Sequence, residues 1–344
     1  MKTAIILTNG LLRSSDAKTA HGLIRGTERY RIVGVIDPPT AGQDAGVVLD
    51  GKHRDIPIYE SLEHALNSPQ TIDYLIIGVA TVGGVLPADM LVIIQQAIQH
   101  GISVVNGLHD YLSDNPNLVA LAQQHQVQLI DVRKPKSRKD LHFWTGEIYD
   151  VTAPIVAVMG TDCALGKRTA ARLLVQACKQ QGIKAQMIYT GQTGWLQGGQ
   201  YGFIFDSTLN DFVSGELEHA IVSCWRETAS EVIFLEGQAA LRNPSGPCGL
   251  EFLISGNARR VVLVHAPKRR YYDNEPHWGE IPSVESEIAI IEKFGAKVIA
   301  LALNTEECSE AEAFDFQRVF QQKLNIPVWL PLFTQPDDVL RQIF

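Results

Sequence analysis

Cysteine is scarce in this chain, five residues in 344, and Cys163, Cys178, Cys224, Cys248 and Cys308 form no Cys-x-x-Cys pair. That spacing supports neither a disulfide framework nor a structural zinc site. There is no basic block, and the net charge of −8 argues against nucleic acid as a main partner. No apolar run approaches the roughly 20 residues that a membrane-crossing helix needs. Met1-Lys2 leads straight into a short strand rather than a signal-peptide core. A cytoplasmic chain with no membrane partner is the expectation. A Gly-x-Ser-x-Gly elbow is missing, so serine hydrolysis has no support. Internal repeats and low-complexity segments are absent as well.

What is present is an ordinary globular composition, 45% hydrophobic and 20% charged, with enough apolar material for two cores. Residues 1–132 alternate short β-branched runs (4–7, 31–36, 74–79, 102–105, 128–132) with helix-like segments (19–25, 61–66, 88–100, 117–124). This alternation predicts βαβ units and a Rossmann-like parallel sheet. The first strand is followed by Thr8-Asn9-Gly10-Leu11-Leu12-Arg13, so the Gly-x-Gly-x-x-Gly fingerprint of a dinucleotide site is missing. Asp37, at the end of the second strand, is either a ribose-gripping acid or a turn former before Pro38-Pro39. Residues 133–153 carry Arg133, Lys134, Lys136, Arg138 and Lys139 with little periodicity. This linker is either a solvated connector or a lid over an anionic ligand.

Residues 154–344 carry a second α/β pattern, with strands expected at 155–159, 184–189, 231–235, 260–264, 297–301 and 327–330, and helices at 167–181, 209–228, 284–294 and 310–324. Between its first strand and first helix lies Gly160-Thr161-Asp162-Cys163-Ala164-Leu165-Gly166-Lys167-Arg168-Thr169. Strand, glycine-rich loop, lysine and helix in that order make a phosphate-binding loop, so a P-loop NTPase-like three-layer domain is expected. Gly160 and Gly166 permit a tight, partly left-handed backbone, Lys167 adds a cation, and the helix adds its positive dipole end. The spacing departs from G-x-x-x-x-G-K-[ST] in two ways. Five residues separate the glycines, and Arg168 stands where a magnesium-binding hydroxyl is usual, with Thr169 one position later. No metal site is certain; if magnesium binds, Thr169 and Glu236 are its candidate ligands.

Ligands of open α/β sheets bind beyond the carboxyl ends of the strands, so the loops leaving the other strands should converge on the P-loop. The apolar run Val232-Ile233-Phe234-Leu235 delivers Glu236, the Walker B arrangement of an acid that binds magnesium or takes a proton. His265 ends another strand, where a general base or phosphate ligand can stand, and Lys268, Arg269 and Arg270 follow as cations for an anionic substrate or as a solvated turn. Gln192 and Thr193, in Thr190-Gly191-Gln192-Thr193-Gly194, are expected to contact ligand. Asp206 and Asp211 either hold a substrate amine or serve helix-end chemistry. Cys163 lies at a helix N-terminus, a place that can activate a thiol, but a packing role is preferred.

The loop Gly-Thr-Asp-x-x-x-Gly-Lys is similar to that of dethiobiotin synthetase. Together with Tyr189-Thr190-Gly191-Gln192-Thr193-Gly194, Asn9-Gly10-Leu11-Leu12 and Lys18-Thr19-Ala20-His21-Gly22, it resembles a family long catalogued as a conserved domain of unknown function and now described as D-glutamate N-acetyltransferase-like. The resemblance spans nearly the whole chain. It implies transfer of acetyl from acetyl-CoA to the amine of a D-amino acid, a small-molecule partner. On that reading the P-loop, Lys167 and Arg168 hold the coenzyme phosphates, Glu236 or His265 acts as base, and residues 268–270 seat substrate carboxylates. The alternatives are an ATP-Mg-dependent kinase or ligase and a nucleotide-binding regulatory protein. A homo-oligomer is expected on general grounds.

Overall fold

The computed structural model describes the backbone of residues 1–344 and every side chain except those of Ser15 and Val82. The chain divides into two compact units, 1–135 with 192–199 and 136–191 with 200–344.

In the first unit, β1 (Lys2–Leu7), β2 (Tyr30–Ile36), β3 (Ile58–Tyr59), β4 (Tyr74–Ile77), β5 (Ser103–Asn106) and β6 (Leu129–Asp131) form one parallel sheet in the order β3-β2-β1-β4-β5-β6. The strand order reverses between β1 and β4, as in the Rossmann fold. Alternation along each strand feeds two cores: Ile5, Leu7, Leu75 and Ile77 on one face, Ala4, Ile6 and Ile76 on the other. β3, only two residues long, was not evident from the sequence because so short an edge strand has no periodicity to read.

Asp37 has a structural role in its own unit. Its buried carboxylate accepts from Thr8 Oγ1 (2.8 Å), the N–H groups of Gly10 (2.8 Å) and Leu12 (3.1 Å), and Thr40 Oγ1 (2.6 Å). The carboxylate organises the loop after β1 in place of the missing glycines.

In the second unit, β7 (Ile155–Gly160), β8 (Ala185–Ile188), β9 (Val232–Glu236), β10 (Arg260–His265), β11 (Lys297–Leu303) and β12 (Val328–Trp329) pair in parallel in the order β12-β11-β10-β7-β9-β8. The chain crosses from β9 to β10 over β7, so β7 lies between the two strands that end in Glu236 and His265. Ile155, Ala157 and Met159 face a core shared with Leu217 and Ile221 of the helix Asn210–Thr228. Val156 and Val158 face the opposite core, shared with Ala170, Ala171, Leu174 and Cys178 of the helix Lys167–Gln180. Those four positions recur at helical spacing, so the helix buries one stripe on the sheet. Each fully buried aliphatic side chain of this kind contributes about 1.5–3 kcal/mol. Two helical layers around one sheet give the three-layer P-loop architecture.

The segment Gln192–Gly199 was expected in the second unit and belongs to the first. Leu196 is fully buried in the core that holds Ala20, Leu23 and Ile24, and the Arg29 guanidinium lies 4.1 Å from the centre of the Trp195 ring. Gln197 donates to the carbonyls of Gly22 (2.7 Å) and Gly26 (3.0 Å). Apolar burial and backbone pairing outweigh sequence position here.

No helix is long and apolar enough to cross a membrane among the described residues.

Candidate functional site

The loop after β7 is folded around Lys167. Its left-handed residues are Ala164 (φ 51°) and Gly166 (φ 89°), not Gly160. Gly160 leaves room for the lysine stem instead, since a Cβ there would crowd Lys167 Cδ at 3.1 Å and the Asp162 carbonyl oxygen at 3.3 Å. A non-glycine residue in the left-handed region costs roughly 1–2 kcal/mol, and such strain clusters at functional loops. Gly166 is the N-cap of the helix Lys167–Gln180 and supplies no side-chain hydrogen bond to it. The first amides of the helix are therefore left without a side-chain cap, the arrangement in which a helix N-terminus can receive an anion.

Lys167 is buried, and its ammonium donates to the carbonyls of Asp162 (2.7 Å) and Ala239 (2.8 Å). An ammonium has three donors, so one remains for an anion. Burial pulls its pKa down, against the opposing fields of Cys163, Cys248 and Asp162. Gly237 admits the close approach of β7: its N–H donates to the Val158 carbonyl, and a Cβ there would lie 2.2 Å from that oxygen.

Glu236 ends β9 with a buried carboxylate. Oε2 accepts from the Thr190 N–H (3.0 Å), while Oε1 lies 3.8 Å from Arg168 NH1. Burial raises its pKa above the ordinary glutamate value, with Arg168, the Thr190 N–H and Lys167 acting against that rise. Thr190 ties the loop together further, donating its hydroxyl to the Glu236 carbonyl (2.7 Å) and accepting from Gln238 Nε2 (2.9 Å). Thr169 stands one helical residue beyond Arg168, a rotation of about 100°.

His265 ends β10, and its Nδ1 lies 2.9 Å from Thr161 Oγ1. Burial pushes its pKa down to about 4. At neutral pH it is an uncharged partner of the loop and not a phosphate-binding cation. The unfolded histidine takes up a proton near pH 6.5 while the folded one resists until about 4. The unfolded state therefore binds more protons inside that window, and stability falls as pH drops through it. The loss approaches about 3 kcal/mol. Urea unfolding across this range should show that slope, and His265→Gln should flatten it.

The three consecutive cations, expected to seat substrate carboxylates, each already have an acidic partner. Lys268 donates to Glu312 Oε1 (2.7 Å) and the Glu307 carbonyl (2.7 Å). Arg270 pairs with Glu280 at the surface. Arg269, with only 6% of its side chain exposed, forks onto Glu306 (2.7 and 2.8 Å) and reaches Asp162 Oδ2 (3.0 Å) and the Cys163 carbonyl (2.8 Å). The partners of Lys268 and Arg269 come from the segment after β11: Glu306 and the Glu307 carbonyl on the loop, and Glu312 in the first turn of the helix Glu310–Leu324.

Asp162 is the hub of the loop's other side. Besides Arg269 it accepts from Asn243 Nδ2 (2.8 Å) and the Asp273 N–H (2.8 Å). Asp162, Cys163 and Asp273 converge closely enough to offer metal ligands, but the donors on Asp162 already include an arginine. Burial, with Asp273 beside it, pushes the Cys163 thiol up to about 11, consistent with packing rather than nucleophilic work. Sequence reasoning missed Asn243, fully buried, because Asn243-Pro244 looks like a turn. The usable signal was its place on the loop that leaves the Glu236 strand.

Gln192 and Thr193 are in the first unit, where Gln192 Oε1 accepts from Arg133 NH2 (2.9 Å) and Thr193 Oγ1 lies 3.3 Å from Thr19 Oγ1. Lys136 of the connector pairs with buried Glu216 (2.6 Å). Asp206 is exposed in the turn Phe205–Ser207, and Asp211 is exposed in the first turn of the helix Asn210–Thr228, where its charge complements the dipole.

Comparison with known proteins adds the family. A D-glutamate N-acetyltransferase from a Pseudoalteromonas species is 30% identical over 275 residues, covering 78% of this chain and 80% of that protein. A second protein of that name, from Tritonibacter scottomollicae, is 26% identical over 260 residues, covering 74% and 75%. The crystal structure of a DUF1611 family protein from Anabaena variabilis superposes with a TM-score of 0.91 at 29% identity, covering 100% of this chain and 99% of that one. Residues 38–135 match the Rossmann-like N-terminal domain of unknown function DUF1611, and residues 142–340 match its P-loop domain. The chain belongs to the DUF1611 family.

Proposed function

We propose that this protein is an N-acetyltransferase that moves acetyl from acetyl-CoA to the amine of a D-amino acid, with D-glutamate the first substrate to test. The relatives' names support the reaction class. The observation that carries the chemistry is the approach of Arg168 to Glu236. In a loop built for ATP and magnesium, the residue after the lysine is a hydroxyl and the acid of the neighbouring strand helps to hold the cation. Here a guanidinium follows the lysine and itself faces that acid. Such a donor set suits phosphate gripped by N–H groups and side-chain cations, as the pyrophosphate and further phosphate of coenzyme A require.

Glu236 is the base in this reading. A carboxylate with a raised pKa takes the first proton from the substrate ammonium and passes it to solvent. The freed amine attacks the thioester carbonyl, the C–N bond forms and the C–S bond breaks, and the second proton leaves with the coenzyme thiolate. His265 positions the loop through Thr161 rather than moving protons. Of the three cations after β10, Arg270 is the one free to exchange its exposed glutamate for a substrate carboxylate, because surface pairs of this kind contribute little. Asp206 or Asp211 would meet the substrate ammonium.

The test incubates the protein with acetyl-CoA and a panel of D- and L-amino acids while free thiol is followed, and separately with ATP and magnesium while phosphate is followed. Thiol released only with an amino acid is the expected result. ADP formation would favour a kinase or ligase working through Thr169 and Glu236, and binding without turnover a regulatory protein.

A further inference from the structure

An exposed aromatic surface on the second unit has no role in the site above. Phe143 and Tyr149 are 65% and 64% exposed, Ile254 49%, Trp144 39% and Leu250 37%. They sit on the strap 142–149 and on the short helix Leu250–Ile254, beside which the Trp144 indole is anchored. The Phe143 ring lies 4.5 Å from Phe212, Trp144 lies 5.8 Å edge-on from Tyr149, and the Trp144 indole N–H donates to the Ser255 carbonyl (3.1 Å), next to Ile254.

The segment that carries these rings is fixed from below. Glu216, buried, accepts from the His142 N–H (2.9 Å) and pairs with Lys136. Glu218, also buried, accepts from the N–H groups of Thr145, Gly146 (2.8 Å) and Ile148 (3.1 Å). Gly215 lets the strap lie against the helix, since a Cβ there would stand 2.0 Å from the His142 carbonyl oxygen. Burying two carboxylates is costly without such donors. Here they hold a strap whose outer face is apolar, so the rings are presented in a set conformation, which lowers the entropic cost of docking.

We propose that this face joins two copies of the chain in a two-fold dimer. The exposed area of these side chains amounts to roughly 500–600 Å², the upper end of what monomers leave uncovered. A stable interface takes about 800 Å² per partner, so the patch needs only a modest rim. Exposed charges of both signs accompany the strap: the Arg226–Glu147 pair (3.1 Å), and Arg138, Lys139 and Asp150, which flank it in sequence. Mixed charge suits a second copy, in which each sign meets its opposite across the axis, better than a polyanion or an anionic membrane.

Sedimentation velocity at micromolar concentration tests this. The wild type is expected at twice the 37.9 kDa of the single chain. Phe143→Asp with Tyr149→Asp should weaken association by roughly a hundredfold or more and leave circular dichroism unchanged, while Val319→Asp, at an exposed valine on another helix, should leave the dimer intact. Hydrogen exchange of residues 142–149 in the wild type should slow as concentration rises, a readout that does not depend on the variants folding. A monomeric wild type, a dimer that survives the double substitution, exchange independent of concentration, or capture of the wild-type monomer by phosphatidylglycerol vesicles would each overturn the proposal.

Discussion

Lys167→Met weakens binding of acetyl-CoA by roughly a hundredfold, the largest loss expected from a single side chain in the site. The variant keeps a stem of similar length where Gly160 and Gly237 pack against the lysine, and deletes only the charge. A hydrogen bond to a charged group is worth about 1.5–3 kcal/mol, and 1.4 kcal/mol is about tenfold in affinity. Losing the third ammonium donor and its charge from a water-poor loop accounts for an effect of that size. The carbonyls of Asp162 and Ala239 also lose their donor, so a modest drop in thermal stability accompanies it. Isothermal titration calorimetry with acetyl-CoA separates the two effects, since the folded fraction is checked by melting. Unchanged affinity in a folded variant would remove Lys167 from the site.

Glu236→Gln lowers acetyl transfer by roughly 10²–10⁴-fold while leaving coenzyme affinity nearly intact. A positioned base contributes about that range, and the amide keeps the shape and still accepts from the Thr190 N–H. The pH dependence carries a second signature. The base acts only when ionised, and burial raises its pKa above 4.5, so the rate climbs with pH along an acid limb centred above that value. Arg168→Gln removes the cation that most opposes the rise and should move the limb to higher pH. The variant Glu236→Gln should lack the limb altogether. A full-rate Gln variant, or an acid limb that survives in it, would transfer the base role to another residue.

Much of this was legible in the sequence, and the parts that were not share a cause. The six strands of the second unit and its long helices announced themselves through apolar runs and helical periodicity; the helix Glu310–Leu324 starts where its Ser309 and Glu312 capping box says it should. The P-loop was readable because glycine, lysine and helix stand in a fixed order along the chain. Partnerships across the chain were not readable. Arg269 belongs to Asp162 and Glu306, Gln192 to Arg133, and Asp37 to the loop after β1. The sequence left a ligand contact open at each of them, because a polar residue at a strand exit looks the same in sequence whether it faces a ligand or a distant backbone. Asn243 was missed for the converse reason: a turn-forming residue pattern hid a side chain that holds the P-loop aspartate.

On the proposed function, the amides at the start of the helix Lys167–Gln180, with Lys167 and Arg168, grip the phosphates of coenzyme A. Hydrogen exchange at residues 160–169, compared with and without acetyl-CoA, addresses those amides directly. Exchange across this loop should slow on adding the coenzyme, and should not slow in Lys167→Met at the same ligand concentration. Exchange unchanged at 160–169, with protection arising only in other segments, would contradict it.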